Sequence, residues 1–169
     1  MNSIRNDKKA KVAVVRCRDY SDDQVYGSLK KLLSHLGGIE SFVRPEESVL
    51  IKPNLLAADD PAKAVTTHPS IVAGMVRLVK EAGAIPSIGD SPCLARFESV
   101  AGPTGIADVA RKCGARLIDL STRAEVVTTG AILMKRLVVA REALEADAII
   151  SISKLKTHSY AIFTGAVKN

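Results

Sequence analysis

Four short stretches of the chain carry the side chains able to do chemistry. Lys52-Pro53-Asn54 ends the apolar run Ser48–Leu55, Asp90-Ser91-Pro92 ends Ile85–Gly89, Lys154, Lys156 and His158 follow Ala148–Ser153, and Thr67-His68-Pro69 opens a helical pattern. Three lysines, two histidines and a helix start are a set that holds an anion. The ammonium groups supply charge, Asn54 a directional amide, and a helix start its N–H groups and positive dipole end. Asp90 and His158 are the candidate catalytic residues, the two groups able to move protons. Lys52, Asn54, Thr67, His68, Lys154 and Lys156 are the candidate substrate-binding residues.

Each piece also has a plainer reading. Lys52 or Lys156 alone reads as a solvated strand-end charge. Asn54 and Asp90 read equally as turn residues bonded to their own backbone, and His68 as a helix cap. His68, Asp90 and His158 have the ligand types of a two-histidine, one-carboxylate metal site, but they stand on separate loops with no fixed spacing, and no metal is assigned. Gly102-Pro103-Thr104-Gly105 lacks the Gly-Lys-Ser/Thr ending of a phosphate loop. His35 reads as structural or surface. Lys154, Lys156 and His158 share parity in an extended chain and form one row, with Leu155 facing the core. A solvated strand tail has the same parity; convergence with Lys52 and the His68 helix start is what separates the two readings.

The elements that must position these groups alternate in period. Lys11–Cys17, Ser48–Leu55, Ile85–Gly89, Ala115–Leu120 and Ala148–Ser153 read as strands, the last as a largely apolar central one. Helical stripes lie at Val25–Leu36, at Ile71–Val79 with Thr67 or His68 as cap and Pro69 in the first turn, around Ile106–Cys113, and at Arg141–Ala146. Val126–Thr129 and Ile132–Val139 read as a β-hairpin turning at Gly130. Strands alternating with helices predict an α/β fold, a mainly parallel sheet with helices on both faces and a small β-hairpin insertion. Lys52, Asp90 and Lys154 then fall at the same end of the sheet, where open α/β sheets bind ligands. Residues 1–10 are expected to be a basic leader and 11–169 a single domain.

The chain has 169 residues, 47% hydrophobic and 25% charged, which is globular composition and excludes disorder. No apolar run reaches the roughly 18 residues of a membrane span, and Arg16 interrupts the apolar stretch near the N-terminus, so a cytoplasmic protein without a membrane partner is expected. The formal charge of +6 divides between residues 1–11 and 154–169, leaving 12–153 neutral. With no Trp and scattered Phe and Tyr, base stacking has little to work with, and no nucleic-acid partner is expected. Cys17, Cys93 and Cys113 are too dispersed for a zinc or iron–sulfur site and are expected to be free thiols, with Cys113 buried.

The strings VLIKPNL, TTHPSIV, IGDSP, ISISKLKTHSY and TGAVKN, in that order over residues 48–169, resemble the domain of unknown function 362 family. The resemblance implies an uncharacterised α/β domain. Longer relatives look like iron–sulfur proteins through an appended ferredoxin-type segment, and some are oxidoreductase-like. Its signature polar positions fall on Lys52, Asn54, Thr67, His68, Asp90, Lys154, Lys156, His158, Lys168 and Asn169, which adds Lys168 and Asn169 to the candidate binding residues. The chain stops inside the last motif and has no ferredoxin cysteines. No cofactor is therefore expected in it, a [4Fe-4S] cluster entering only through a C-terminal segment or partner. A sheet edge or apolar face around Tyr160, Ile162, Phe163 and Val167 is expected to be uncovered and to favour a homodimer.

Two functions follow. One is an enzyme domain binding a small anionic molecule, carboxylate or phosphate, at the strand-end rim as part of a redox-type enzyme. The other is a non-catalytic accessory domain whose basic rim docks a ferredoxin-type module or electron-transfer protein.

Overall fold

Parallel strands need long crossovers, and the helical stripes between the β-rich runs supply them. A computed structural model describes residues 10–92, 95–130, 132–158, 162–167 and 169. The expectations for residues 1–9 of the leader and for Cys93, Tyr160 and Lys168 lie outside the described residues. In chain order the elements are α1 (Asp22–Ser34), β1 (Ser48–Pro53), α2 (Pro69–Glu81), β2 (Ile85–Asp90), α3 (Phe97–Ala101), α4 (Ile106–Cys113) and β3 (Arg116–Asp119). There follow β4 (Arg123–Val127), β5 (Arg136–Ala140), α5 (Arg141–Glu145), β6 (Ala148–Ile152), β7 (Lys156–His158) and β8 (Ile162–Thr164). Among the described residues no helix is long and apolar enough to cross a membrane.

The main sheet is parallel, in the order β3-β2-β1-β6, and β4–β5 and β7–β8 form two separate antiparallel pairs. The chain lays β1, β2 and β3 outward in one direction, then returns to place β6 on the far side of β1. Right-handed crossovers put the helices of the outward leg on one face, where α2 packs on β1, β2, α1 and α4. The return leg runs over the opposite face, so Val138 of β5 and Ala143 of α5 share a hollow with Leu50 and Ile149 of the sheet. One face is thus covered by long helices and the other lightly, by a hairpin and a five-residue helix.

Strand parity builds the core accordingly. Val49 and Ile51 of β1 and Ile88 of β2 meet Val72, Val76 and Val79 of α2, all fully buried. Leu50, of opposite parity, is also buried but lies on the lightly covered face. Gly89 shares that face, where an added Cβ would come within 2.9 Å of the Ile118 carbonyl oxygen and 3.2 Å of Leu50 and Leu120. The end of α2 needs a left-handed residue, and Gly83 provides it at φ +78°.

Four expectations change. Lys11–Cys17 joins no sheet among the described residues, and Val12 and Val14 are 83% and 89% exposed. Its β-rich alternation lacks a neighbouring edge, and strand propensity reports fit to a packed surface rather than an intrinsic preference. The hairpin is longer-looped than a turn at Gly130: its strands end at Val127 and restart at Arg136, closed by the Thr128 amide donating to Lys135 O. A further short helix, α3, stands in what reads as a loop, because Phe97, Val100 and Ala101 are buried against the core. Finally, among the described residues β6 is an edge strand beside β1, with Ile149 50% exposed. An all-apolar run encodes cover on both faces, which does not set how many strands flank it.

Candidate functional site

The strand order reverses between β1 and β6, and their ends lie level, with Lys52 opposite Ser151 and Pro53 opposite Ile152. Beyond them Thr67 acts as a clamp. Its hydroxyl donates to Ile152 O at 2.7 Å and accepts from the Asn54 amide at 2.9 Å, while the Thr67 amide donates to Asn54 O at 3.0 Å. Asp90, buried at the end of β2, receives Lys52 Nζ on one oxygen and the Leu55 amide on the other, both at 2.7 Å. Asp90 is therefore fixed by a cation from β1 and by the backbone that leaves β1. Asn169 folds back onto the same place: its Oδ1 accepts from Lys52 Nζ at 3.3 Å, and its Nδ2 donates to Ser151 Oγ at 2.9 Å and to Lys52 O at 3.3 Å.

Lys156, half-buried in β7, donates to Asn54 Oδ1 at 2.7 Å and to Val65 O at 2.8 Å. With His158 it lines a cleft of about 360 Å³ between the 56–65 loop and β7, together with Lys63, Val65 and Leu56. Lys63 is ion-paired to Asp59 at 2.7 Å. Lys52 instead lines a hollow of about 450 Å³ on the lightly covered face. Asp90 lines neither hollow. The rim groups are thus neighbours in the fold but open on different spaces, and the two candidate catalytic residues do not share one.

His68 caps α2, its Nδ1 accepting from the Ser70 amide at 3.3 Å and lying 2.8 Å from Ser70 Oγ. Tyr20 stacks on its ring at 3.9 Å between centroids. Burial, and then the charge of Lys154, hold the imidazole below the ordinary histidine range, against an opposing pull from Asp22. The helix start does not offer the open amides expected of it. Pro69 has none, Ser70 donates to His68 Nδ1, and Ile71 donates to His68 O. What α2 contributes is its dipole. Leu155, expected in the core, is 73% exposed, because beyond β6 the chain leaves the sheet for the β7–β8 pair. Among the described residues no group of three His, Cys, Asp or Glu side chains is placed to hold a metal. Cys113 packs against the core and Cys17 is exposed, both as free thiols.

A model of the family described as "Domain of unknown function (DUF362)" matches residues 49–169. The chain belongs to this family. It is also 34% identical over 158 residues to the thylakoid-associated protein sll1697 of Synechocystis sp., covering 94% of this chain and 49% of that protein. The chain therefore spans about half the length of this curated relative. No solved structure matches it. In this DUF362 chain, Lys52, Asp90 and Asn169 form one bonded group at the β1/β6 end and Asn54, Thr67 and Lys156 a second, and the Leu55 amide on Asp90 brings the two side by side. Three residues around this end escape sequence reasoning: Tyr20, Lys63 and Arg123, the last lining the hollow with Lys52. Each lies outside the motif strings, in a polar stretch whose residue types suggest only solvated surface.

Proposed function

We propose that this chain binds a small anion, a carboxylate or phosphate, beyond the carboxyl ends of β1 and β6, as the substrate-recognition part of a redox-type enzyme. The observation that carries the reading is the cleft lined by Lys156, Lys63 and His158 beside the point where the strand order reverses, next to the strand ends that the Lys52–Asp90 pair holds. The Lys156 ammonium donates to Asn54 Oδ1 and to Val65 O, which orient it at the mouth of the 54–65 segment. In the 360 Å³ cleft Lys156 and Lys63 would receive the anion, and His158 is the group beside it able to carry a proton. Thr67 and Asn54 act as positioning residues, and Lys52, Asp90 and Asn169 hold the strand ends that carry them. A cytoplasmic location belongs to the same reading, and any iron–sulfur cluster would come from a partner or a further segment.

Phosphate at millimolar concentration is expected to raise the melting temperature beyond chloride at equal ionic strength. Lys156→Gln should remove most of that gain. Because Lys52→Ala alone strips Asp90 of its counter-charge, the pair is best replaced together, as Lys52→Gln with Asp90→Asn, and the phosphate response is then read from that variant's own baseline. A full response in Lys156→Gln would refute the cleft.

One observation favours the accessory-domain reading. Leu155, Ile162 and Phe163 stand exposed on or beside the β7–β8 pair that carries Lys156. An apolar patch bordered by cations suits an acidic protein module of the ferredoxin type. Salt-sensitive binding to such a module, lost on Phe163→Asp and indifferent to phosphate, would favour it.

A further inference from the structure

The hollow on the lightly covered face has the make-up of a site separate from the anion cleft. At about 450 Å³ it falls within the range of about 300–1,000 Å³ typical of small-molecule sites. Strand parity decides its floor, since Leu50 of β1 and Ile149 of β6 are register partners pointing to that face. Val138 of β5 and Ala143 of α5 flank them, and Ser91, Ser121 and Thr122 complete the rim, so the hollow is open and mainly apolar. Its charged lining residues are Lys52 and Arg123, with no Asp or Glu among the lining residues. Lys52 is answered by Asp90, whereas the Arg123 guanidinium makes no ion pair among the described residues. A mainly apolar hollow with a planar, bidentate cation is complementary to a molecule with a hydrocarbon body and one carboxylate.

We propose that this hollow binds a small amphipathic carboxylic acid, its hydrocarbon part on Leu50, Ile149 and Val138 and its carboxylate on Arg123. At about 30 Å³ per water-sized group the space takes no more than about fifteen heavy atoms, which points to medium-chain or monocyclic acids rather than full-length fatty acids. The assignment does not depend on the phosphate cleft, as Lys156, His158 and Lys63 line the other space.

The test is a calorimetric titration of the chain with acetate, butyrate, hexanoate and octanoate at constant ionic strength. Affinity is expected to rise about two- to fourfold per added methylene, the upper figure being that for complete burial. Arg123→Gln should weaken octanoate at least tenfold and leave the response to phosphate intact. Ala143→Phe, which fills the chamber, should abolish the dependence on chain length. Should Ala143→Phe fail to melt cooperatively, Val138→Phe fills the same space from the hairpin side. Equal affinity for acetate and octanoate, or unchanged octanoate binding in Arg123→Gln, would overturn the proposal. Loss of the phosphate response together with octanoate binding in Arg123→Gln would also overturn it, because the two spaces would then be one site.

Discussion

Replacing Asp90 by Asn removes the charge facing Lys52 while keeping the side chain's shape. The Asp90 side chain is 5% exposed and that of Lys52 26%. The pair thus lies between an open surface pair, worth about 0–1 kcal/mol, and a fully buried one, whose breaking costs about 3–5 kcal/mol. The amide oxygen of Asn can still accept from Leu55, so the loss falls on the Lys52 contact, and about 2 kcal/mol is expected. Lys52→Met should cost more, about 3 kcal/mol, because it leaves a buried carboxylate without its cation. The double variant Lys52→Met/Asp90→Asn should recover about 1–2 kcal/mol of the summed losses as coupling. Urea unfolding with an unchanged m-value measures all three. For a chain of this size a 2 kcal/mol loss also lowers Tm by about 4–8 °C. Single variants within 0.5 kcal/mol of the parent, or a strictly additive double variant, would show that the pair is incidental to the strand ends.

Thr67→Val keeps the volume but strands the Asn54 amide and the Ile152 carbonyl; a loss of about 2–4 kcal/mol in urea unfolding is expected, and a near-neutral result would remove the clamp. His68 has a folded pKa below its unfolded value, so the unfolded chain binds more protons in between. Its contribution to stability is full above about pH 6.5 and is lost as pH falls through the folded pKa. Urea midpoints measured from pH 7.5 to 5 should decline, and His68→Asn, which keeps a cap, should flatten that decline. If the exposed β6 edge drives self-association, Ile149→Lys should lower the oligomer fraction in sedimentation, whereas Val12→Lys on the unpaired N-terminal run should do so less.

The strands of the main sheet were legible because each is short, β-rich and bounded by a helix stop or a proline. Pro53 ends β1 and Asp90 ends β2 where their residue types require. The cap of α2 was readable to within one residue, as Thr67 or His68 ahead of Pro69, and it is His68. Ladder neighbours were not. Lys11–Cys17 and Ala148–Ser153 have similar β-rich patterns, yet the first pairs with nothing described and the second forms an edge, because pairing is decided by segments distant in sequence. The parity of Lys156 and His158 was visible and both line one cleft. The destination of Leu155 was not, since parity names a side without saying what lies there.

The division of the strand-end cations between two spaces follows from topology. Lys52 has the parity of Leu50 and so begins on the face covered by the return leg, where the hairpin supplies Arg123 and an apolar flank. Lys156 comes after the chain has left β6, and its ammonium reaches the 54–65 segment, the exit path of β1 toward α2 on the opposite face. A switch point sends the two connections to opposite faces, so cations carried by β1 and by the segment after β6 are brought close and still open outward separately. Asp90 and Asn54 tie them to the same strand ends from within. A ligand held in either space therefore bears on one shared scaffold, and an anion in the Lys156 cleft should alter the amide signals of Leu55 and Lys52 without entering the hollow that Lys52 lines. Amide shifts confined to residues 56–65 and 156–158 on phosphate addition would show the two spaces to be mechanically independent.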